Sequence, residues 1–473
     1  MPLTPCSPLL DETLRIVARR YRLPAMEDSS PGPCNASSAT TLAMAIEQAR
    51  RAKVRNEAPD ARLKRQFMDA LANLIHEAMR ADAGDPVFQA MVLHHQAAPV
   101  REYAALSEKA KRDSRSIHTA VNAIAHPARL QHTQPGGHGQ ALAQLHAAVS
   151  SGSWSALSDT ARRLLLIPDI AKEPPLRRGL ARILDSPALG RLKRRQELES
   201  DESVRRYQSL WDRYGPRSGS ATAHAQDSAA QRRGAGVEAL AAQALGALAR
   251  RLDEADGAQA SYRAVTSMRV PASICAGAQR AKSEWDAVLL KREQGAAHTA
   301  WSVCLLMEVK ASVDAAATDL PRLLRGLRLL AGADENTVYP FETRQETVHL
   351  DGASLSALAT DEAGLARTVL YCCDAPADQA PRLLSAASRA QLLSAQPCLE
   401  LAGALAQNRA ADPQCLEAAW HLILKAPQWG AVLHQYPTLR LARDLMVHPD
   451  DLLAALNQAA GANPDTGPAP QRP

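Results

Sequence analysis

Strand-like sequence is confined to one stretch of this 473-residue chain, and that confinement limits the fold more than any other feature. Strand patterns are apolar runs or runs that alternate between apolar and polar residues, rich in β-branched residues. The candidates are YRAVTSMRV (262–270), EWDAVLL (284–290), AWSVCLLMEV (300–309), ETVHLDG (346–352) and TVLYCC (368–373). DLPRLLRGLRLLAG (319–332) predicts a helix between the third and fourth strands. The chain is therefore expected to contain one modest sheet with attached helices.

Composition favours helices in the rest of the chain. Hydrophobic residues make up 46% of the sequence, yet only 3 Phe, 8 Tyr and 6 Trp are present. Alanine and leucine therefore dominate the apolar positions, as in FMDALANLIHEAMRA from Phe67 onward, where their spacing is helical. A large sandwich or barrel is not expected, and we predict an α+β fold that is predominantly α-helical.

Changes in composition divide the chain into five predicted regions. Two turn-rich or small-residue segments, 27–41 and 218–236, are expected to act as connectors, and HTQPGGHGQ (132–140) is expected to interrupt the helices. The regions are a helical N-terminal region (1–150), a basic helical region with linker (151–233), an α/β domain (234–375), a helical C-terminal region (376–460) and a disordered tail (461–473).

Two acids and a lysine are predicted to share one face of two neighbouring strands. Alternation places Asp286 on one face of its strand, and places Glu308 and Lys310 together on a face of the next. An antiparallel hairpin centred at residue 297 sets Asp286 opposite Glu308. Charged groups at the end of an apolar strand are costly unless they pair or bind a metal. Carboxylates that hold Mg²⁺ or Mn²⁺ beside an ammonium group are typical of phosphodiester hydrolysis.

The rarity of lysine strengthens this interpretation. The chain has ten lysines among 55 basic residues, and only Lys310 has an acidic residue two positions before it. A cation placed by chance in so arginine-rich a chain would more often be arginine. The alternative is an edge strand whose Glu308 and Lys310 are simply solvated.

These residues resemble the PD-(D/E)xK nuclease superfamily, whose restriction-endonuclease-like core consists of a helix, three strands, a helix and a fourth strand. Asp286 matches the first acid of the motif, and Glu308-Val309-Lys310 matches (D/E)-x-K, although Trp285 replaces the proline. The resemblance covers about residues 234–375. It implies catalysis by Asp286, Glu308 and Lys310, and a Mg²⁺ or Mn²⁺ site formed by Asp286, Glu308 and Glu238 of GVEAL.

Two further sets of residues are candidates for nucleic-acid contact. The resemblance implies phosphate contacts after the lysine, at Ser312, Arg322 and Arg325. The second set, Lys193, Arg194 and Arg195, lies in an arginine-rich stretch (177–217) that also contains Tyr207, Trp211 and Tyr214, which suit stacking on bases. The alternative is a solvated amphipathic helix, because acids interrupt the basic run.

The sequence therefore predicts a metal-dependent nuclease-like protein that acts on DNA or RNA, with helical regions that select a substrate or protein partner. The alternative is a non-enzymatic interaction or DNA-binding protein with a degenerate nuclease-like core. The net charge of +5 permits contact with an anionic polymer. No signal peptide, long apolar span, P-loop, Rossmann or zinc-ligand pattern is present, so a cytoplasmic protein of bacterial type without membrane contact is expected.

Overall fold

A computed structural model describes residues 7–23, 37–126, 137–171, 173–215, 221–275, 281–293, 300–378, 381–410 and 412–461. The chain divides into two compact units, each of which combines several of the sequence regions distinguished above. The sheet unit comprises Met1–Leu74, Ser218–Leu393 and Pro413–Pro473. The helical unit comprises Ile75–Arg217 and Ser394–Asp412.

Helices form most of the described structure, which confirms the predominantly α-helical prediction. In the first half of the chain they are α1 (Pro8–Ile16), α2 (Ser38–Val54), α3 (Ala61–Ala78), α4 (Pro86–Gln96), α5 (Ala98–Ala125), α6 (Gly137–Ser150), α7 (Trp154–Leu165), α8 (Pro168–Ala171), α9 (Pro174–Leu184), α10 (Pro187–Leu198) and α11 (Glu202–Tyr214). In the second half they are α12 (Ala221–Asp256), α13 (Ala272–Cys275), α14 (Val313–Ala331), α15 (Gly352–Ser356), α16 (Glu362–Thr368), α17 (Ala386–Leu393), α18 (Gln396–Ala406), α19 (Glu417–Lys425), α20 (Gly430–Leu433), α21 (Gln435–Asp444) and α22 (Pro449–Gly461). Short 3₁₀ turns occur at Gly257–Gln259, Pro413–Leu416 and Pro427–Trp429.

Seven strands form one mixed sheet in the sheet unit. They are β1 (Ala260–Arg269), β2 (Glu284–Glu293), β3 (Ser302–Val309), β4 (Val338–Glu342), β5 (Thr347–Asp351), β6 (Val369–Cys372) and β7 (Met446–Val447). Their spatial order is β5-β4-β1-β2-β3-β6-β7. β1, β2 and β3 form an antiparallel meander, whereas β6 pairs with β3 in parallel. All five predicted strands are present, while β4 and β7 were not predicted.

Helices cover both faces of the sheet. On one face α14 buries Leu320, Leu323 and Leu327 against the sheet. On the other face α12 packs through Ala241, Leu245 and further small or apolar residues at helical spacing. β3 is apolar on both sides, as a central strand between two helical layers must be. The polar end of such a strand is therefore the natural position for a site.

The helical unit has a core of its own. Leucine, isoleucine and alanine side chains from α5, α6, α7, α9 and α10 form one buried cluster. Trp154 is the largest apolar side chain in it. This cluster explains the helical periodicity with few aromatic residues between Ile117 and Leu192.

Several predicted connectors differ from the structure where it describes them. Residues 221–236, predicted as part of a flexible connector, form the first turns of the 36-residue α12. Residues 38–41 and 137–140, predicted as linker and helix break, begin α2 and α6. The reason is that alanine and the small polar residues there tolerate a helix once its later turns pack. Of the predicted tail (461–473), Gly461 is the last residue of α22, and residues 462–473 lie outside the described residues.

Candidate active site

The register of β2 and β3 makes Asp286 and Glu308 neighbours. Ala287 pairs with Met307, Val288 with Leu306 and Leu289 with Leu305, so the next antiparallel position matches Asp286 with Glu308. The predicted hairpin pairing is therefore confirmed, while its turn at residue 297 lies outside the described residues. The backbone N–H of Val309 donates a hydrogen bond to Asp286 Oδ2 over 2.7 Å.

Glu308 is buried between two lysine ammonium groups. Lys310 Nζ lies 2.7 Å from Glu308 Oε1, and Lys282 Nζ lies 2.5 Å from Glu308 Oε2. The side chain of Glu308 is 3% exposed and that of Lys282 is 6% exposed, whereas Lys310 reaches nearer the surface at 17%. The acid is thus deep, and Lys310 is the member of the trio that is more accessible to solvent.

The network continues onto helix α14 and strand β6. Asp319 Oδ2 of α14 lies 3.4 Å from Lys310 Nζ. The Tyr371 hydroxyl of β6 donates to the same Asp319 oxygen over 3.3 Å, and Tyr371 stands opposite Glu308 in the parallel register. Three carboxylates and two ammonium groups therefore gather at the end of β3, on the face that α14 covers.

The electrostatic environment of the buried Glu308 carboxyl differs from that of an acid at the protein surface. Burial, and after it the nearby Asp286 carboxylate, raise the pKa of the Glu308 carboxyl to about 7, because the two ammonium groups only partly oppose the rise. Burial works against the charge of Lys310, but the Glu308, Asp319 and Asp286 carboxylates outweigh it and raise the lysine pKa. A carboxyl that titrates near neutrality beside a fixed cation is typical of a functional site.

The acids do not fit a resident divalent ion in this arrangement. Both oxygens of Glu308 contact ammonium groups, and Asp286 Oδ2 accepts a backbone hydrogen bond. Across the described ranges, no group of three or more His, Cys, Asp or Glu side chains is arranged to hold a metal. A metal at Glu308 requires that at least one ammonium group leave it.

Three members of the network were not predicted from sequence. Lys282 precedes β2 by two residues and has no acidic residue two positions before it, so it does not match the (D/E)-x-K pattern. Asp319 begins the predicted α14 helix pattern, and Tyr371 lies inside an apolar strand, so both fit an ordinary structural interpretation. The weak signal for Lys282 was its rarity, because lysine is scarce throughout the chain.

The remaining residues implied by the resemblance lie away from the Glu308 network. Glu238 is exposed on α12, which packs against the opposite face of the sheet from α14. The structure therefore does not bring Glu238 to Glu308. Ser312 is the exposed N-cap residue of α14, and Arg322 and Arg325 are exposed further along that helix.

The basic triplet of the helical unit is largely engaged by acids. Arg194 of α10 forms two hydrogen bonds with Glu102, at 2.7 and 2.9 Å. Arg195 pairs with Glu199 at 3.2 Å and lies over the ring of Tyr103. Lys193 is half-buried on the same helix. These contacts favour the amphipathic-helix interpretation for Arg194 and Arg195.

Aromatic residues on α11 form an edge-to-face series. The rings of Tyr207 and Trp211 are 6.1 Å apart, and those of Trp211 and Tyr214 are 6.0 Å apart. Trp211 and Tyr214 are exposed, which keeps stacking on bases open as a prediction.

Comparison with known proteins found no matching family model, curated protein or solved structure. Among the described residues, no helix is both long and apolar enough to cross a membrane.

Proposed function

We propose that the sheet unit contains a restriction-endonuclease-like core that binds and hydrolyses phosphodiesters of nucleic acid. The observation that carries this proposal is the convergence of Asp286, Glu308 and Lys310, three residues selected from sequence by their chemistry. The order α12, the β1–β3 meander, α14 and then β6 parallel to β3 supports it, since the family core has the same order.

Each side chain has a role in this proposal. Lys310 is the accessible cation, and its ammonium group offsets negative charge that develops on the phosphate oxygens. Glu308 holds Lys310 in place through their 2.7 Å contact. Asp286 keeps one oxygen, Oδ1, for a water or ion, while its other oxygen binds the Val309 N–H. Exposed Arg322 and Arg325 on α14 supply positive charge for the flanking phosphates.

Asp286 Oδ1 and, once an ammonium group leaves it, Glu308 would hold a divalent ion, which would supply positive charge to polarise a phosphate and to lower the pKa of a water. Mg²⁺ or Mn²⁺ is the proposed ion because oxygen ligands favour hard cations. The part of the proposal that follows from this chain alone is the arrangement of Lys310, Glu308 and Asp286.

Cleavage by the full-length protein tests the proposal. Single-stranded, duplex and branched DNA and RNA are incubated with Mg²⁺, Mn²⁺ or EDTA. We expect cleavage of at least one substrate, lowered by about 100-fold or more in Lys310→Met, because one preorganised charge contributes on this order. Lys64→Met is the matched control, since Lys64 pairs with Glu417 in the same unit but outside the site. Cleavage that is equal in Lys310→Met and the wild type contradicts the proposal.

The contacts of Glu308 favour a second candidate function, which is nucleic-acid binding without hydrolysis. Both oxygens of this acid contact lysine ammonium groups, as in a degenerate core that keeps the fold and loses the metal. Binding in a mobility-shift assay that Arg322→Gln weakens, with no cleavage under any ion condition, distinguishes this candidate from the hydrolase.

A further inference from the structure

Lys282 is a buried lysine at the candidate site with no role in the motif. It lies two residues before β2, and its Nζ atom is 2.5 Å from Glu308 Oε2. Its side chain is only 6% exposed, so the ammonium group is separated from bulk water. A buried lysine is costly unless a charge compensates it, and the nearest compensating charge is the Glu308 carboxylate.

The fold holds this lysine closely. A Cβ added at Gly326 of α14 would lie 2.7 Å from Lys282 Cβ and 2.9 Å from its carbonyl oxygen, so only glycine allows the helix to approach here. The Lys282 ammonium also lies 5.7 Å from the centre of the fully buried Trp285 ring. The backbone is fixed next to it, where the Val270 N–H donates to the carbonyl of Ser283 over 2.9 Å.

We propose that Lys282 is a built-in competitor of a divalent cation: its ammonium group occupies the Glu308 oxygen that such an ion needs. A Mg²⁺- or Mn²⁺-sized ion then binds at Glu308 only when Lys282 is displaced. This inference rests on the proposed function, because it takes Glu308 as the ligand of the hydrolytic site. It adds that the chain regulates access of the metal through a residue outside the motif.

The balance of charge supports competition rather than simple support of Glu308. Lys310 pairs with Oε1 and also lies 3.4 Å from Asp319 Oδ2, so the three carboxylates of the site outnumber its two ammonium groups and would attract a cation once the Lys282 charge is removed. Lys282 takes the remaining oxygen, Oε2. Removal of its charge leaves Glu308 Oε2 and Asp286 Oδ1 as oxygen donors on paired strands, the type of ligand that Mg²⁺ and Mn²⁺ prefer.

Mn²⁺ binding to the full-length protein tests this proposal without reference to cleavage. Lys282→Met keeps the length and apolar contact of the side chain and removes its charge. We expect the dissociation constant of Mn²⁺ to be at least about tenfold lower for Lys282→Met than for the wild type. A titration followed by electron paramagnetic resonance measures this difference. The gain should disappear in Lys282→Met/Glu308→Gln.

Two further variants control for charge and position. Lys282→Arg keeps a cation and should bind Mn²⁺ as weakly as the wild type. Lys64→Met removes a lysine that pairs with Glu417 and should leave Mn²⁺ binding unchanged. If circular dichroism shows that Lys282→Met is unfolded, Lys282→Gln, which is polar and uncharged, takes its place in the same titration.

The outcomes separate this inference from the proposed function. Equal Mn²⁺ affinity in the wild type and Lys282→Met overturns the competitor role, as does tight binding that survives Glu308→Gln. Failure of the wild type to cleave any substrate overturns the hydrolase proposal alone, because the Mn²⁺ comparison remains readable in a protein that does not cleave.

Discussion

The two units each contain a buried acid paired with basic residues, and the two acids behave in opposite ways. In the helical unit, Asp113 accepts two hydrogen bonds from the Arg191 guanidinium, both 2.7 Å long. Arg191 lowers the pKa of Asp113 more than burial raises it. In the sheet unit, Glu308 contacts two ammonium groups, yet its pKa rises to about 7.

The difference lies in geometry and in neighbouring charge. A guanidinium fork matches both oxygens of a carboxylate, and Arg191 remains partly exposed, so its own charge keeps its hydration. Glu308 receives two point charges from lysines but also faces the Asp286 carboxylate in a deeper environment. Asp113 is therefore an acid that stabilises its unit as an anion, whereas Glu308 is an acid that the fold holds at a cost. Such costs are common at functional sites.

The largest expected effect is on cleavage. Glu308→Gln should lower the initial cleavage rate by about 100-fold or more, because the uncharged amide no longer fixes Lys310 as a preorganised charge. Asp113→Asn should keep the rate of the wild type within about twofold, since Asp113 belongs to the helical unit. Rates that fall equally in the two variants would remove the functional contrast between the acids.

The free energy of unfolding should depend more on the charge of Asp113 than on the charge of Glu308. Asp113→Asn should lower the free energy of unfolding by about 1–3 kcal/mol, because a buried charge-assisted pair is broken. Glu308→Gln alone leaves the buried Lys282 ammonium without its compensating charge, so the matched variant is Lys282→Met/Glu308→Gln, which removes both charges and should change it by less than about 1 kcal/mol. Urea denaturation followed by circular dichroism measures both, with Glu342→Gln on exposed β4 as the control. A loss in Lys282→Met/Glu308→Gln larger than that in Asp113→Asn would contradict the contrast.

Acid titration should isolate the contribution of Asp113. Its pKa is lowered in the folded protein, so its stabilisation is present above the unfolded pKa of about 3.9 and is lost as pH falls through the lower, folded value. Between pH 5 and pH 2, the wild type should therefore lose more stability than Asp113→Asn, and their urea midpoints should converge. A gap that stays constant with pH would show that the Arg191 pair does not depend on the charge of Asp113.

The smallest expected effect concerns nucleic-acid binding by exposed arginines. Arg322→Gln on α14 should weaken binding several-fold and reduce the slope of log affinity against log salt by about 1, as loss of one phosphate contact does. Arg194→Gln in the helical unit should change binding less, because Glu102 already engages the Arg194 guanidinium. Fluorescence anisotropy at several salt concentrations measures the difference. A larger loss in Arg194→Gln would move the nucleic-acid surface to the helical unit.

The sequence predicted the interior of the sheet better than its edges. β2 and β3, strands of ten and eight residues, were recognisable because each contains an apolar run that packs under helices on both faces of the sheet. β4 was missed because its five residues include Pro340 and are mostly exposed. Neither an alternating hydrophobic pattern nor a high β-propensity therefore identifies it as a strand. β7 has two residues and exists only because β6 offers it a partner.

The sequence by itself determined the position of the sheet and the pairing of Asp286, Glu308 and Lys310, because strand alternation and hairpin register are local properties. Only the tertiary structure decided that Lys282 and Asp319 join them and that Glu238 does not. Those relations depend on which helix covers which face of the sheet, and on a close approach at Gly326. Pairing within a hairpin can be read from spacing, whereas charge compensation in a buried site depends on contacts between elements that are distant along the chain.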